Sequence, residues 1–181
     1  MDTLDPTYRR YDRETDFPAL VELLTTEAWT YRVKVHLTEA DVVEARDDYG
    51  GDGDITELIA VGDELAGFVR AFELGDQKAD PQLDFRLRER FRGRGLGTAA
   101  LHHITALVFE AYPETIRIEG QTRQDNVAMR RAFVRGGYVK EAVYRRAWPD
   151  GNGNYFDGIG YAVLRSDWES GTVTPVDWSG P

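Results

Sequence analysis

The sequence contains no cysteine, and this absence removes several chemistries at once. Without thiols the chain can form no disulfide, no thiolate metal site and no cysteine nucleophile. Ser166, Ser170 and Ser179 lie near the end, and none stands in the Gly-x-Ser-x-Gly turn of serine hydrolases. His102 and His103 are adjacent, so they point to different faces of a helix and give no histidine cluster. We therefore expect no metal site, and chemistry that needs neither a thiol nor a serine nucleophile.

The sequence also lacks a long apolar run and a surplus of basic residues. No stretch approaches the ~20 apolar residues of a membrane span, and residues 1–6 lack the basic and apolar parts of a signal peptide. We expect a cytoplasmic protein with no membrane partner. The formal net charge of −10 argues against nucleic acid as a partner, because duplex binding uses a basic face. The same charge favours a cationic substrate, although an acidic surface also serves solubility.

The 181 residues suffice for one domain with a full core and are too few for two. We expect one domain over residues 1–168 and an irregular tail over 169–181, whose Trp178 is a candidate contact to the body or to a second subunit of a homodimer. Thr38 with Asp41 resembles a capping box, and Asp12 or Asp16 can cap the first helix. Periods of two and of 3.6 residues predict strands over 8–11, 55–61, 65–73, 83–87, 115–121, 138–147 and 155–164, and helices around 19–24, after 38, over 97–111 and over 126–135.

The most informative stretch is the glycine-rich run 91–98, Phe-Arg-Gly-Arg-Gly-Leu-Gly-Thr. It joins an alternating strand over 83–87 to an amphipathic helix over 97–111. The first N–H groups of such a helix lack intrahelical partners and attract anions such as phosphate. Glycine lets a ligand approach the backbone, and Arg92 and Arg94 add positive charge. The alternative is that the glycines only permit tight packing of the turn.

Other motifs for nucleotides and calcium fit less well. Residues 95–100 match the G-x-G-x-x-A fingerprint of dinucleotide-binding folds, but that motif follows an almost wholly apolar strand, and the strand here is half charged. A nicotinamide-dinucleotide enzyme therefore stays a weaker alternative. The sequence has no Walker A loop, and the acidic stretches 47–54 and 150–154 lack the Gly and Glu spacing of a calcium loop.

The pattern Arg-x-x-Gly-x-Gly, formed by Arg92, Gly95 and Gly97, resembles the acetyl-CoA loop of the GCN5-related N-acetyltransferases, the GNAT family. The stretch 119–138 looks like the family's next strand, its Asn-headed helix and its Gly-aromatic ending. The stretch 148–168 is similar to the closing hairpin of the RimJ/RimL-like branch. Their order along the chain is more specific than any one of them.

This resemblance covers roughly residues 8–168 and implies both a fold and an activity. The fold would be a single GNAT-type α/β (α+β) domain, with a mixed, mostly antiparallel central sheet of about seven strands flanked by about four helices. The activity would be transfer of an acetyl group from acetyl-CoA directly to a primary amine of a small molecule or a protein N-terminus. No metal is implied.

The resemblance also implies where acetyl-CoA binds. In proteins that the sequence resembles, the pantetheine arm lies like an extra strand along the strand before the glycine loop, the pyrophosphate lies on the loop, and an Asn stands near the arm. Carried over by position, the cofactor-binding residues are Phe85, Arg86, Leu87, Arg92, Gly93, Arg94, Gly95, Leu96, Gly97, Thr98 and Asn126.

The expected catalytic and acceptor residues depart from the family pattern. Relatives often place a basic carboxylate where this chain has Gln121, so Glu119 on the same strand face and Asp84 on the neighbouring strand are the candidate catalytic residues. The family's proton donors correspond to Phe133 and Met129, which cannot donate. Another tyrosine or water must then serve, or the chain is a non-catalytic acyl-CoA-binding module.

The acceptor site is expected at the connection between the first two helices, which in this family commonly forms one of its walls. Glu27, Trp29 and Tyr31 are the candidate substrate contacts in this connection. The alternative for the aromatic residues is that they only cover the edge of the sheet.

Overall fold

The computed structural model describes residues 4–76 and 80–179, and within these residues the chain forms one seven-stranded sheet and five α-helices. The strands are β1 (Pro6–Arg10), β2 (Ile55–Val61), β3 (Glu64–Phe72), β4 (Gln82–Leu87), β5 (Arg117–Arg123), β6 (Val139–Pro149) and β7 (Tyr155–Leu164). The helices are α1 (Phe17–Thr26), α2 (Glu39–Glu44), α3 (Leu96–Ala111), α4 (Val127–Arg135) and α5 (Arg165–Ser170). The strand bounds lie within two residues of those expected, whereas α5 was not predicted and crosses the boundary expected after residue 168.

The strands follow the order β1-β2-β3-β4-β5-β7-β6, and every neighbouring pair is antiparallel except β4 with β5. This confirms the expected mixed, mostly antiparallel sheet. Among the described residues, the only ladder pair of β4 and β5 is Gln82 with Glu119, next to a 2.8 Å bond from the Glu119 N–H to the Pro81 carbonyl. Beyond this pair the two strands diverge. A gap therefore opens in the middle of the sheet, between the last residues of β4 and those of β5.

Two apolar clusters cover the two faces of the sheet. On one, here called the α3 face, α3 and α4 pack over residues such as Ile59, Val69 and Ile118. On the other, the α1 face, α1 and α2 pack over Leu58 and Phe68. Side chains alternate along a strand, so each strand residue belongs to one of these faces.

The helix ends on the α1 face are fixed by charged and polar side chains. The capping box is confirmed: the Thr38 hydroxyl accepts from the Asp41 N–H at 3.3 Å, and the Asp41 carboxylate accepts from the Thr38 N–H at 2.7 Å. Asp16 stands at the N-cap of α1 but makes no side-chain cap bond. Its carboxylate instead accepts two hydrogen bonds from Arg9, at 2.6 and 2.8 Å, and one from the Asp12 N–H.

The C-terminal segment packs onto the body through α5. Asp167 accepts hydrogen bonds from the N–H and the hydroxyl of Thr174, at 2.8 and 2.6 Å. Trp168 lies against Phe109 of α3, with 5.3 Å between the ring centroids. Farther along the segment, the ring of Trp178 lies 5.7 Å from the Lys140 ammonium of β6. None of the helices in the described part of the chain combines the length and the apolar composition of a membrane span.

Candidate active site at the gap between β4 and β5

The glycine loop closes one end of the gap. Gly93 and Gly95 have φ angles of +72° and +89°, a left-handed conformation that residues with a Cβ rarely adopt. A Cβ built on either glycine would meet no atom within 4 Å, so the loop surface is open at both positions. Gly95 is also the N-cap of α3 and has no side chain to bond the first N–H groups of this helix, those of Leu96 and Gly97. These groups are available to the phosphates of a ligand.

Other residues of the loop either anchor it or contribute charge. The Nε of Arg92 donates to the Leu87 carbonyl at 2.9 Å and ties the loop back to the end of β4. Arg94 is exposed. The side chain of Leu96 is buried in the core, so only its backbone can contact a ligand. Thr98 follows in the first turn and donates its N–H to the Gly95 carbonyl at 3.1 Å.

The backbone of β4 lines one wall of the gap. The Arg88 N–H donates to Ala66 of β3 at 2.8 Å, so alternate residues of β4, including Arg86, direct their backbone groups to β3. The intervening residues Phe85 and Leu87 direct theirs toward the gap. Of the three backbones expected to hold the pantetheine arm, the structure therefore brings two to the gap and pairs that of Arg86 with β3.

The opposite wall is built by the end of β5 and the start of α4. Asn126 caps α4, since its Oδ1 accepts from the Met129 N–H at 3.2 Å. Its Nδ2 donates to the Thr122 hydroxyl at 3.1 Å, which fixes the helix to β5. The side chain of Asn126 thus holds the wall in place at the position where the cofactor arm is expected.

Asp84 lies on the α1 face, two residues beyond the pair at which β4 and β5 separate. Its side chain is only 11% exposed, forms an ion pair with Arg32, and lies 3.5 Å from the Nη2 of Arg86. Burial alone would raise the pKa of Asp84, but the positive charges of Arg32, Arg86 and Arg70 outweigh it and lower the pKa below its ordinary value. Asp84 therefore stays ionised at neutral pH, which suits the binding of a cation better than the acceptance of a proton.

Glu119 projects from β5 to the same α1 face. Its Oε1 accepts from the Gln121 side chain at 3.0 Å, and its Oε2 lies 3.2 Å from Arg117. Arg117 also forms ion pairs with Asp80 and, at 2.6 Å, with Glu141. One guanidinium thus serves three carboxylates, and Glu119 is the one of the three at the start of the gap.

The three expected acceptor contacts have different environments. Trp29 is 5% exposed and donates its indole N–H to the Leu24 carbonyl at 2.8 Å, so it packs in the cluster on the α1 face. Glu27 accepts from the Glu89 N–H at 3.1 Å and steadies the turn before the glycine loop. Tyr31 is partly buried, with its ring 5.0 Å from the guanidinium of Arg123 at the end of β5.

Phe133, at the position of the family's proton donor, is a buried core residue. Its ring stacks on Tyr161 at 4.9 Å and lies so close to β5 that a Cβ on Gly120 would approach it to 2.5 Å. The hydroxyl of Tyr138 is fully buried and hydrogen-bonded to Thr105 at 2.7 Å, and burial raises its pKa. Tyr144 is 40% exposed on β6. Tyr138 is thus a core residue whose hydroxyl does not reach the gap.

The α1 face also carries an acidic cleft of about 250 Å³. Its lining residues are Asp47, Asp48, Gly51, Asp52, Gly53, Asp54, Arg70, Phe72 and Glu73. Arg70 forms an ion pair with Asp54 and stacks over Tyr49 at 5.1 Å. In the described part of the chain, no group of three or more His, Asp or Glu side chains is arranged to hold a metal ion.

Sequence reasoning missed Arg32 and Arg123 as residues of the site. Arg32 lies in a connection without any periodic pattern, and its partner Asp84 is 52 residues away. Arg123 is paired with Asp125 at 2.6 Å and lies 4.2 Å from the Phe156 ring. The Arg123–Asp125 pair is local, but the sequence carries no local signal for the contact of Arg32 with Asp84 or of Arg123 with Phe156, because both depend on the tertiary fold.

A family model described as an acetyltransferase (GNAT) domain matches residues 7–139. No curated protein sequence matches the chain. Solved structures with a similar fold include spermidine N-acetyltransferase from Vibrio cholerae in complex with CoA and spermine (TM-score 0.76, 15% identity, 91% of this chain and 98% of that chain). They also include the RimL ribosomal L7/L12 alpha-N-protein acetyltransferase in complex with coenzyme A (0.73, 20%, 90% and 95%) and the aminoglycoside acetyltransferase AAC(6')-Ib in complex with coenzyme A (0.70, 19%, 92% and 98%).

Proposed function

The chain belongs to the acetyltransferase (GNAT) domain family and is an acetyl-transferring enzyme, and we propose that it acetylates a primary amine of a small molecule or a protein N-terminus, with cationic acceptors preferred. The observation that carries this proposal is the gap between β4 and β5. It has the open glycine loop at one end and, on the face beside it, the ionised carboxylate of Asp84 and the carboxylate of Glu119. The closing hairpin of β6 and β7 supports a place in the RimJ/RimL-like branch, and we propose a cytoplasmic location.

Acetyl-CoA would supply the acetyl group as an activated thioester. The backbone groups of Phe85 and the N–H of Leu87 that point into the gap would hold the pantetheine arm by strand-like hydrogen bonds, since the Leu87 carbonyl already accepts from Arg92. The first N–H groups of α3 and the exposed charge of Arg94 would bind the pyrophosphate, at a loop where the open space over Gly93 and Gly95 admits a ligand. The chain therefore offers a surface that fits this cosubstrate.

The acceptor would approach from the α1 face. An amine attacks only in its neutral form, and its ordinary pKa is ~10, so the site must accept a proton. We assign this role to Glu119, because its carboxylate lies at the start of the gap and is only partly neutralised by the shared Arg117. Asp84, held ionised by its arginines, would bind the positive charge of the acceptor instead.

The departing thiolate would take its proton from water. No hydroxyl replaces Phe133 at the family position, and the Tyr138 hydroxyl is buried in the core. A thiol has a pKa of ~8.5, so its thiolate is a leaving group that needs little help from a protein acid near neutral pH. Loss of the family's donor is thus compatible with turnover.

The acidic cleft supports the preference for cationic acceptors. It places carboxylates of the loop 47–54 on the face from which the acceptor would come. Opposite charge raises the local concentration of a substrate and its rate of association. It is consistent with this preference that the similar structures include a spermidine and an aminoglycoside acetyltransferase.

Two measurements test the proposed function. Calorimetry should show binding of acetyl-CoA and none of NAD or NADP. Release of free thiol should then be followed with a panel of amines, and spermidine, aminoglycosides and basic peptides should exceed neutral amines at low salt, with the advantage shrinking as salt rises. Binding of acetyl-CoA without thiol release from any amine would instead favour a non-catalytic acyl-CoA-binding module.

A further inference from the structure

Resting on this proposed function, we propose that the Arg32 guanidinium occupies the position at Asp84 that the ammonium group of a cationic acceptor takes during binding. Arg32 then acts as an internal competitor of the acceptor. It would determine specificity, because an acceptor binds only when its own cation displaces the guanidinium from Asp84.

The charges around Asp84 point to this exchange. Asp84 and Arg86 lie two residues apart on β4, are each 11% exposed, and together form a neutral buried pair. Arg32 adds a second guanidinium to the same carboxylate, from a side chain that is 42% exposed. Replacing this guanidinium by an ammonium leaves the buried charge unchanged, so the exchange avoids the large cost of an unpaired buried ion.

Among the groups near this position, Asp84 supplies the negative charge that an entering cation would bind. Arg70 is committed to Asp54 through its own ion pair. Burial raises the pKa of Tyr49, so this phenol is neutral near pH 7 and offers no competing negative charge. A cation that enters from the α1 face therefore meets the Asp84 carboxylate, and Arg32 already occupies the position that this cation would take.

Asp84 is also close to where the chemistry would occur. It directly precedes Phe85, whose backbone points into the gap, and it lies two residues after Gln82, the residue of β4 that pairs with β5. A cation held by Asp84 is thus beside the strand that would carry the acetyl thioester.

The side chain of Arg32 can leave while its backbone stays in place. The Arg32 N–H donates to the Trp29 carbonyl and the Trp29 N–H to the Val35 carbonyl, both at 2.8 Å. The Trp148 indole N–H holds the Tyr31 carbonyl at 3.0 Å. The connection is therefore fixed by backbone contacts that do not use the guanidinium.

The test compares Arg32→Gln with Lys34→Gln, a control that removes the same charge from the same connection. Lys34 pairs with Asp41, away from Asp84. With spermidine as the acceptor, Arg32→Gln should lower KM by roughly tenfold, the effect of about 1.4 kcal/mol of lost competition, while kcat and the Kd for acetyl-CoA stay unchanged. Lys34→Gln should leave all three constants within about twofold of the parent.

A double-mutant cycle identifies the site of competition. Asp84→Asn should raise KM for spermidine, and Arg32→Gln should give no further gain in the Asp84→Asn background, because the contested carboxylate is absent. An equal fall in KM in both backgrounds would mean that Arg32 acts by long-range repulsion and would overturn the proposal. An unchanged or raised KM in the single variant Arg32→Gln would overturn it as well.

Calorimetric titration of spermidine separates this inference from the proposed function. If the parent binds acetyl-CoA but releases no thiol with any amine, the proposed function fails. The inference then still requires tighter spermidine binding by Arg32→Gln than by the parent and by Lys34→Gln. Equal heats for the three proteins, or none, would overturn it independently of turnover.

Discussion

The two sides of the gap between β4 and β5 differ in the chemical groups that they present. On the cofactor side the groups that face the gap are mostly backbone, and the contacts that hold them are close in sequence, as between the Arg92 side chain and the Leu87 carbonyl, five residues apart. On the acceptor side the contacts are charged side chains whose partners are distant, as in Arg32 with Asp84, 52 residues apart, and Arg88 with Glu22, 66 apart. A site for a phosphate needs little more than a helix start and glycine, whereas the acceptor site depends on the whole fold.

The net charge of the whole chain also differs in sign from the charge around Asp84. The chain carries a net charge of −10, yet Asp84 is surrounded by Arg32, Arg70 and Arg86. Buried charges must be paired, so the composition of a buried site is set by mutual compensation and not by the average of the surface. We therefore expect the net charge to influence the approach of a substrate, and the side chains around Asp84 to determine which cation binds.

The largest expected effect tests the cofactor side. Gly95→Val should weaken acetyl-CoA binding by about 2–4 kcal/mol, on the order of one or two charged hydrogen bonds, because its branched side chain fills the space beside the first N–H groups of α3. Gly97→Ala is the control, since its Cβ would point to Phe85 and Ala132 at an ordinary 3.6 Å. Gly95 has a positive φ, so calorimetry must be paired with a circular dichroism check of folding. A folded Gly95→Val variant with parental affinity would place the phosphates elsewhere.

The next effect tests the acceptor side. Glu119→Gln should lower kcat by roughly 10²-fold, the usual scale for the loss of a general base, with the Kd for acetyl-CoA unchanged. Glu141→Gln is the matched control, because Glu141 binds the same Arg117 from β6. If the amine then loses its proton to water, the rate of Glu119→Gln should recover as pH rises toward ~10. Parental turnover by Glu119→Gln at neutral pH would remove Glu119 from the mechanism.

Sequence reasoning succeeded where a pattern is local. The strand bounds, the glycine loop and the capping box of Thr38 and Asp41 follow from periodicity and spacing, which depend on neighbours a few residues apart. The helix α5 has only six residues and lies next to a segment without hydrophobic periodicity, so no sequence pattern predicted it. Its place is fixed by Asp167 and by the packing of Trp168 on Phe109, contacts that the sequence does not contain.

The side-chain contacts on the proposed acceptor side could not be predicted from the sequence. In the connection between α1 and α2, where we expect the acceptor, Trp29 is a core residue, while Arg32, which the sequence did not single out, reaches Asp84. Arg86 was expected to offer its backbone, but the register of β4 turns that backbone to β3 and its side chain to Asp84. Strand register and side-chain pairing are both set by tertiary contacts, so a single sequence leaves them open.

A smaller effect concerns how the acceptor side is stabilised. The hydrogen bonds from Arg9, opposed in part by burial, lower the pKa of Asp16. A depressed folded pKa adds stability that is present above the unfolded value of ~3.9 and is lost as pH falls through the folded pKa. Asp16→Asn should therefore cost about 1–2 kcal/mol of unfolding free energy near pH 7, with a difference that shrinks below pH ~4.

Urea unfolding at several pH values measures this effect, with the exposed Glu14→Gln in the same turn as its control. The control should unfold like the parent at each pH, because no ion pair holds its side chain in the described part of the chain. If the deficit of Asp16→Asn were the same at pH 7 and near pH 3, the carboxylate charge would not be its cause.

The smallest effect separates a structural role from a binding role on the cofactor side. Asn126 and Thr38 both cap helices, so Asn126→Ala and Thr38→Ala should each lower the free energy of unfolding by about 1 kcal/mol. Only Asn126 stands at the gap. If it also contacts the pantetheine arm, Asn126→Ala should raise the Kd for acetyl-CoA by roughly fivefold, about one hydrogen bond, while Thr38→Ala leaves it unchanged. Equal Kd values in the two variants would reduce Asn126 to a helix cap, and the proposed cofactor contacts would then be the backbone groups and the charge of Arg94.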